Sequence, residues 1–181
     1  MSASTSDSHK LRYEHYVLFP DDGKRHEIID GEHYMNPAQS IKHQSVSKHL
    51  QYQLYTKIEL AGLGQFYSAP VDVQLSEFDV VQPDLVIVLN KNFRKITPTK
   101  IKVAPDLIVE ILSPSTAEND QTLKKQLYER SGVSEYWIVD PFDQKVDQFV
   151  LVDGKYVLQP PTNEVPLSIV SGVTIDLEKI W

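Results

Sequence analysis

Two stretches of this chain, Leu85-Val86-Ile87-Val88-Leu89 and Leu107-Ile108-Val109-Glu110-Ile111-Leu112, lack the alternation of apolar and polar residues that a half-buried strand shows. Strands of this kind are covered on both faces, so the chain must supply a layer above and a layer below a central sheet. Each stretch also carries a carboxylate in an awkward place. Asp84 stands immediately before the first, after Pro83, and Glu110 lies inside the second. An unpaired buried charge costs several kcal/mol unless a cation or a metal offsets it. Lys124 follows in the segment Asp120-Gln121-Thr122-Leu123-Lys124. Two carboxylates and one ammonium in or beside buried elements are the first sign of a divalent-metal site.

The rest of the chain supplies the covering layers. A short helix is expected over Leu11 to Phe19, ended by Pro20. Asp30-Gly31 then centres a hairpin over Arg25 to Met35, because this dipeptide readily takes the positive φ values of a tight turn. Val46, Leu50, Leu54 and Ile58 recur every fourth residue, the stripe of an amphipathic helix that should lie on a sheet and end near Gly62 or Gly64. Short strands are expected at Phe66-Tyr67 and Val71 to Leu75. Ser115-Thr116-Ala117-Glu118 has capping-box spacing for a helix with a Leu123/Leu127 edge, closed by Gly132. Tyr136 to Val139, Val146 to Leu151, Tyr156 to Leu158 and Thr174 to Leu177 complete the strands. Helices flanked by strands on both sides predict an α/β sandwich around a mixed sheet.

Composition narrows the class of protein. At 181 residues and 41% hydrophobic content, one sizeable core and one domain are expected over residues 11–181, behind a polar, Ser-rich leader at 1–10. The absence of cysteine removes disulfides and thiolate ligands. The sequence shows no export signal and no apolar span, which points to a cytoplasmic protein with no membrane partner. A net charge of −7 gives no overall basic footprint, so a polyanionic partner needs a local cationic groove or metal ions.

Hydrolysis of a phosphodiester requires an activated water, neutralised charge on the scissile phosphate and help for the leaving oxygen. Magnesium is held by one or two carboxylates and keeps several waters, so Asp84 and Glu110 on neighbouring strands suffice, with the backbone carbonyl of Ile111 as a third oxygen. Lys124 would stabilise hydroxide and the anionic transition state. Asp120 and Tyr128 stand four residues either side of it on one helical face, Asp120 placed to orient the lysine and Tyr128 to hold a phosphate or to pack.

Other residues compete with this reading. Asp106 follows Pro105 as Asp84 follows Pro83, yet it lies about 13 Å along the strand from Glu110, too far to share one ion. It reads as a residue at the start of its strand. His43 falls near the buried stripe of its helix, where a packed or hydrogen-bonded histidine is more common than a base. Gln74 and Ser113 are candidates for hydrogen bonds to a ligand or a phosphate. Tyr136 and Trp137 read as core or interface aromatics.

The segment from Pro105 to Thr116, then Asp120, Lys124 and Tyr128, then Gly132 to Pro141, resembles the Uma2 family of restriction endonucleases, as do Glu27 to Glu32, His43-Gln44 and Gln82-Pro83-Asp84. The resemblance runs from about Arg25 to Leu151. It implies a restriction-endonuclease-like α/β fold of the PD-(D/E)xK nuclease superfamily, a mixed central sheet flanked by helices, with an N-terminal hairpin and extra C-terminal strands. It also implies DNA as substrate, Mg2+ or Mn2+ as cofactor and a homodimer. Under it Asp84 and Glu110 are the metal carboxylates and Glu27 a secondary ligand. The superfamily's usual lysine position holds Leu112, and the family's relocated lysine falls on Lys124. The rival expectation is a nuclease-like scaffold that binds partners or nucleic acid without catalysis.

Overall fold

The computed structural model describes residues 9–36, 38–114 and 116–181. Most of the leader and Ser115 of the expected capping box lie outside the described residues. The short N-terminal helix α1 spans only Tyr13–Tyr16. Strands β1 (Arg25–Ile29) and β2 (Glu32–Asn36) form the hairpin, with Asp30 at φ 53° and Gly31 at φ 81° in the turn. Helix α2 (Ile41–Leu54) continues as a π-helical stretch over Tyr55–Glu59. Strands β3 (Gly64–Ser68), β4 (Val73–Gln74), β5 (Val80–Val81), β6 (Leu85–Leu89), β7 (Ile101–Lys102) and β8 (Leu107–Ile111) follow. A second helical segment is built from α3 (Ala117–Asn119), a π-helical stretch over Asp120–Lys124, and α4 (Lys125–Ser131). Beyond it lie β9 (Glu135–Asp140), β10 (Lys145–Val152), β11 (Lys155–Leu158), β12 (Glu164–Pro166) and β13 (Thr174–Asp176).

The central sheet is six-stranded and mixed, in the order β11-β10-β9-β8-β6-β3. Its one parallel pair, β8 and β9, is joined by the α3 to α4 segment, since a parallel connection needs a long crossover. The two uninterrupted apolar runs are β6 and β8, side by side at the centre and fully buried, as their patterning requires. Alternation splits their side chains between two cores. Leu85, Ile87, Leu107 and Val109 pack with Val46, Leu50 and Leu54 of α2, with Ile58 of its π-helical extension and with the C-terminal strands. Val86, Val88 and Ile108 pack with Leu127 and Tyr128 of α4 on the other face.

A second sheet, β2-β1-β5-β4-β7, covers that other face, burying Ile29, Val73, Val81 and Ile101 in the same core as α4. The sequence pattern predicts one mixed sheet and gives no sign of this layer. Its strands β4, β5 and β7 are two residues each, too short to show a periodicity. The expected strand over Val71 to Leu75 shrinks to β4 for the same reason: neighbouring strands offer only two residues of pairing. The α3 to α4 helix ends as expected at Gly132, in the left-handed region at φ 81°.

Candidate active site

The antiparallel register of β6 and β8 pairs Leu85 with Val109. Extended by one residue it sets Asp84 opposite Glu110, at the end of the central sheet. There the backbone ladder gives way to a side chain: the Ile111 amide donates to Asp84 Oδ2 at 2.9 Å. The Ile111 peptide therefore belongs to the site, and its described contact there is through the amide rather than the carbonyl. Strand alternation turns Glu110 toward the face covered by α4 and the second sheet.

Four carboxylates meet in this region, all nearly or fully shielded from solvent: Glu27, Asp84, Glu110 and Asp120. Lys124 Nζ sits among three of them, 3.1 Å from Glu27 Oε2, 3.1 Å from Glu110 Oε1 and 3.4 Å from Asp120 Oδ1. The π-helical stretch Asp120–Lys124 carries the lysine back to the sheet, and such widened turns are frequent at functional sites. Tyr128 donates its hydroxyl to Glu110 Oε1 at 2.7 Å. Its fully buried ring packs in the core, one of the two roles its spacing left open, while its hydroxyl holds Glu110. Glu110 Oε2 accepts none of the described hydrogen bonds.

Asp84 is held differently. Arg25 Nη1 donates to its Oδ1 at 2.7 Å, and His43 Nε2 donates to its Oδ2 at 3.0 Å. His43 is the buried, hydrogen-bonded histidine its position in the helix suggested, and its Nδ1 has no partner. Glu27 is fixed from two further sides, by Asn36 Nδ2 at 2.8 Å and the Gln82 amide at 2.7 Å. It is buried rather than part of a solvated hairpin face, whereas Glu32 is exposed.

The electrostatics follow from the count of charges. Burial pushes the Glu110 carboxyl up to about 8, against the pull of Lys124, with Asp120 and Asp84 adding to the rise. Burial raises Asp120 as well. Burial alone would lower Lys124, but the charges of Glu110, Glu27 and Asp120 hold its ammonium well above the usual range. Burial also disfavours the charged form of Asp84, yet the His43 hydrogen bond and the Arg25 guanidinium outweigh it and keep this carboxyl below its ordinary value. Four buried carboxylates against two permanent cations leave the cluster short of positive charge.

A magnesium ion is the group the fold family implies, and the donors suit it. All are hard oxygens, positive charge is in deficit, and one Glu110 oxygen is uncommitted. Among the described residues no three His, Asp or Glu side chains converge at metal-binding distance. Magnesium needs only one or two protein carboxylates, so Asp84 and Glu110 would hold it.

The cluster meets solvent through a cleft of about 480 Å³, lined by Asp84, Arg25, His43, Gln44, Ser47 and Gln82 among others. The remaining sequence candidates lie differently. Ser113 shares a hydrogen bond of 3.0 Å with Thr116. Gln74 sits in β4, paired through its backbone with Val80 and Lys102. Asp106 caps the far end of β6, accepting from the Leu89 amide and from Asn92 at 2.8 Å each, so it is structural as its spacing indicated. Tyr136 and Trp137 are fully buried core aromatics.

Sequence reasoning missed Arg25, Asn36 and Gln82. Alternation gives no signal for Arg25, because Ile28 and Ile29 bury opposite faces of β1 alike.

Residues 13–178 match the Uma2 family, described as "Putative restriction endonuclease". The chain is also similar to a crystal structure described as "a putative nuclease belonging to DUF820 from Anabaena variabilis ATCC 29413", with a TM-score of 0.78 and 16% identity over 94% of this chain and 97% of that one. At that identity the likeness shows the fold alone, mixed sheets flanked by helices. Among curated proteins none matches the chain. Because the family match extends from α1 through β13, the chain belongs to the Uma2 family.

Proposed function

We propose that this protein is a magnesium-dependent endonuclease that hydrolyses DNA phosphodiesters. The observation that carries the reading is the buried cluster of Glu27, Asp84, Glu110 and Asp120, short of positive charge and open to a cleft through Asp84. Asp84 and Glu110 would hold the metal, with Glu27 and the Ile111 carbonyl as further oxygens, and Mn2+ would serve in place of Mg2+. When bound, the ion supplies Lewis-acid stabilisation of the phosphate and acidifies a water.

The protein's own groups do the positioning. Glu27, fixed by Asn36 and the Gln82 amide, presents Lys124 to Glu110. Lys124 places a positive charge where negative charge develops on the attacking and scissile oxygens. Tyr128 fixes one Glu110 oxygen and leaves the other toward the metal position. Arg25 and Lys24 line the cleft as contacts for the phosphate diester. A homodimer would place two such sites on a duplex, one for each strand.

A second reading, a nuclease-like scaffold without catalysis, is favoured by one observation. Both Asp84 oxygens are already engaged, by Arg25, His43 and the Ile111 amide. A supercoiled-plasmid assay with Mg2+ or Mn2+ separates the two. Nicking that disappears in Glu110→Ala with the circular-dichroism spectrum unchanged supports the nuclease. Failure of the wild type to cut plasmid, duplex or single-stranded substrates would leave the scaffold.

A further inference from the structure

Residues 33–58 contain no Asp or Glu, in a chain that carries 25 of them. The stretch holds Lys42, Lys48 and Lys57 and folds largely into α2 and its π-helical extension. One face of α2 lines the catalytic cleft through His43, Gln44, Ser47 and Gln51. The adjoining face lines a second cavity of about 410 Å³ through Lys48, His49 and Tyr52, and Lys57 and Lys179 complete it. The one acid there, Asp176, is neutralised by Lys179 at 2.6 Å. Tyr52 is 72% exposed in the middle of these cations.

We infer that the Lys48, Tyr52 and Lys179 face of α2 binds a single strand of DNA that leaves the catalytic cleft across the helix, a reading that rests on the nuclease assignment. The argument is one of complementarity. A protein of net charge −7 repels a polyanion except where acids are sparse, and the longest acid-free run of its sequence folds largely into α2, beside the cleft. Lysines alone would suit any polyanion. An exposed tyrosine ring between them adds a stacking surface, which suits unpaired bases. Double-helical DNA would leave Tyr52 without a partner, because its bases are already stacked. Lys48 and Lys179 are both exposed, and a phosphate would draw the Lys179 ammonium from Asp176.

The test uses the full chain and a long fluorescein-labelled oligonucleotide in EDTA, so that binding is read by anisotropy without cleavage. Lys48→Glu/Lys179→Glu should weaken binding at least tenfold and flatten its salt dependence. Tyr52→Ser should weaken binding about tenfold on the intact strand and leave an abasic strand unaffected, while Tyr52→Phe retains wild-type affinity. Cleavage of bis(p-nitrophenyl) phosphate with Mg2+, a substrate too small to reach α2, should be unchanged in every variant. If the lysine variant keeps wild-type affinity and salt slope while the wild type cleaves DNA, the surface is wrong and the nuclease reading stands. If Tyr52→Ser loses equally on the abasic strand, or duplex binds with the same Tyr52 dependence, the single-strand assignment is overturned. If the variants lose binding but the wild type cleaves nothing, the surface stands and the nuclease reading falls. Absence of binding by the wild type overturns the surface outright.

Discussion

Lys124 Nζ lies 3.1 Å from Glu110 Oε1, although the two residues belong to different elements and both are buried. The ammonium is also within 3.4 Å of Glu27 and Asp120. Without a metal, this lysine is the positive charge nearest the three carboxylates. Replacing it with an apolar residue of similar length leaves them facing one another. Lys124→Met should lower the stability of the metal-free protein by about 3–5 kcal/mol in urea titration. Added Mg2+ should recover part of that loss, with cleavage still absent. A variant as stable as the parent would contradict the central place given to this pair.

The raised Glu110 carboxyl predicts a pH dependence with a definite sign. Its proton is held more tightly in the folded protein, where the value is about 8, than in the unfolded chain, where it is 4.5. The contribution to stability is fully present below 4.5 and is lost as pH rises toward and through 8. Metal-free protein should therefore lose melting temperature across this window, with the raised Asp120 adding to the fall at its lower end. Magnesium prefers the ionised carboxylates, so its binding should release protons and strengthen as pH rises. Calorimetry in buffers of different ionisation enthalpy reads the protons directly. Affinity that fell from pH 6 to pH 8 would reverse the assignment.

Arg25 and Asp84 form a charge pair at 2.7 Å, the guanidinium at the edge of the cleft and the carboxylate behind it. Arg25→Ala exposes Asp84 to uncompensated burial and should cost about 3–5 kcal/mol. Asp84→Asn should cost less in stability but abolish metal-dependent cleavage. The double variant should be more stable than the sum of the single losses, a coupling that a double-mutant cycle measures. Strict additivity would show that the pair does not interact.

Glu135 offers a contrast, because it is fully buried, receives five hydrogen bonds and forms no ion pair among the described residues. Trp137 and Gln148 bond one oxygen, while Ser168 and the Ile169 amide bond the other. These contacts tie the segment after β12 to the central sheet. Glu135→Gln replaces one acceptor by a donor facing donors and should cost about 1–3 kcal/mol. The melting temperature should drop by about 2–4 °C per kcal/mol, with cleavage per folded molecule unchanged. Loss of activity without loss of stability would place Glu135 in the chemistry instead.

What the sequence determined by itself is the centre of the molecule. Uninterrupted apolar runs require strands covered on both faces, and β6 and β8 lie where that rule puts them. The Asp30-Gly31 turn, the α2 stripe and the Gly132 stop were legible because each is set by neighbours a few residues apart. The presence of charge in a buried strand likewise marked Glu110 as a residue needing a partner. Which partner it has was decided only by the tertiary structure. Lys124 and Lys125 are adjacent and chemically alike, yet one enters the carboxylate cluster while the other lies over the Phe149 ring at 3.9 Å. Arg25 and Asp84 lie far apart in the chain, with α2 and β2 to β5 between them, and their meeting depends on β1 pairing with β5 through Ile28 and Val80. Short pairings of this kind leave no periodic trace in the sequence, and the electrostatics of the site depend on them. Periodicity reports which face a residue occupies, whereas only the packing of layers reports what stands opposite it.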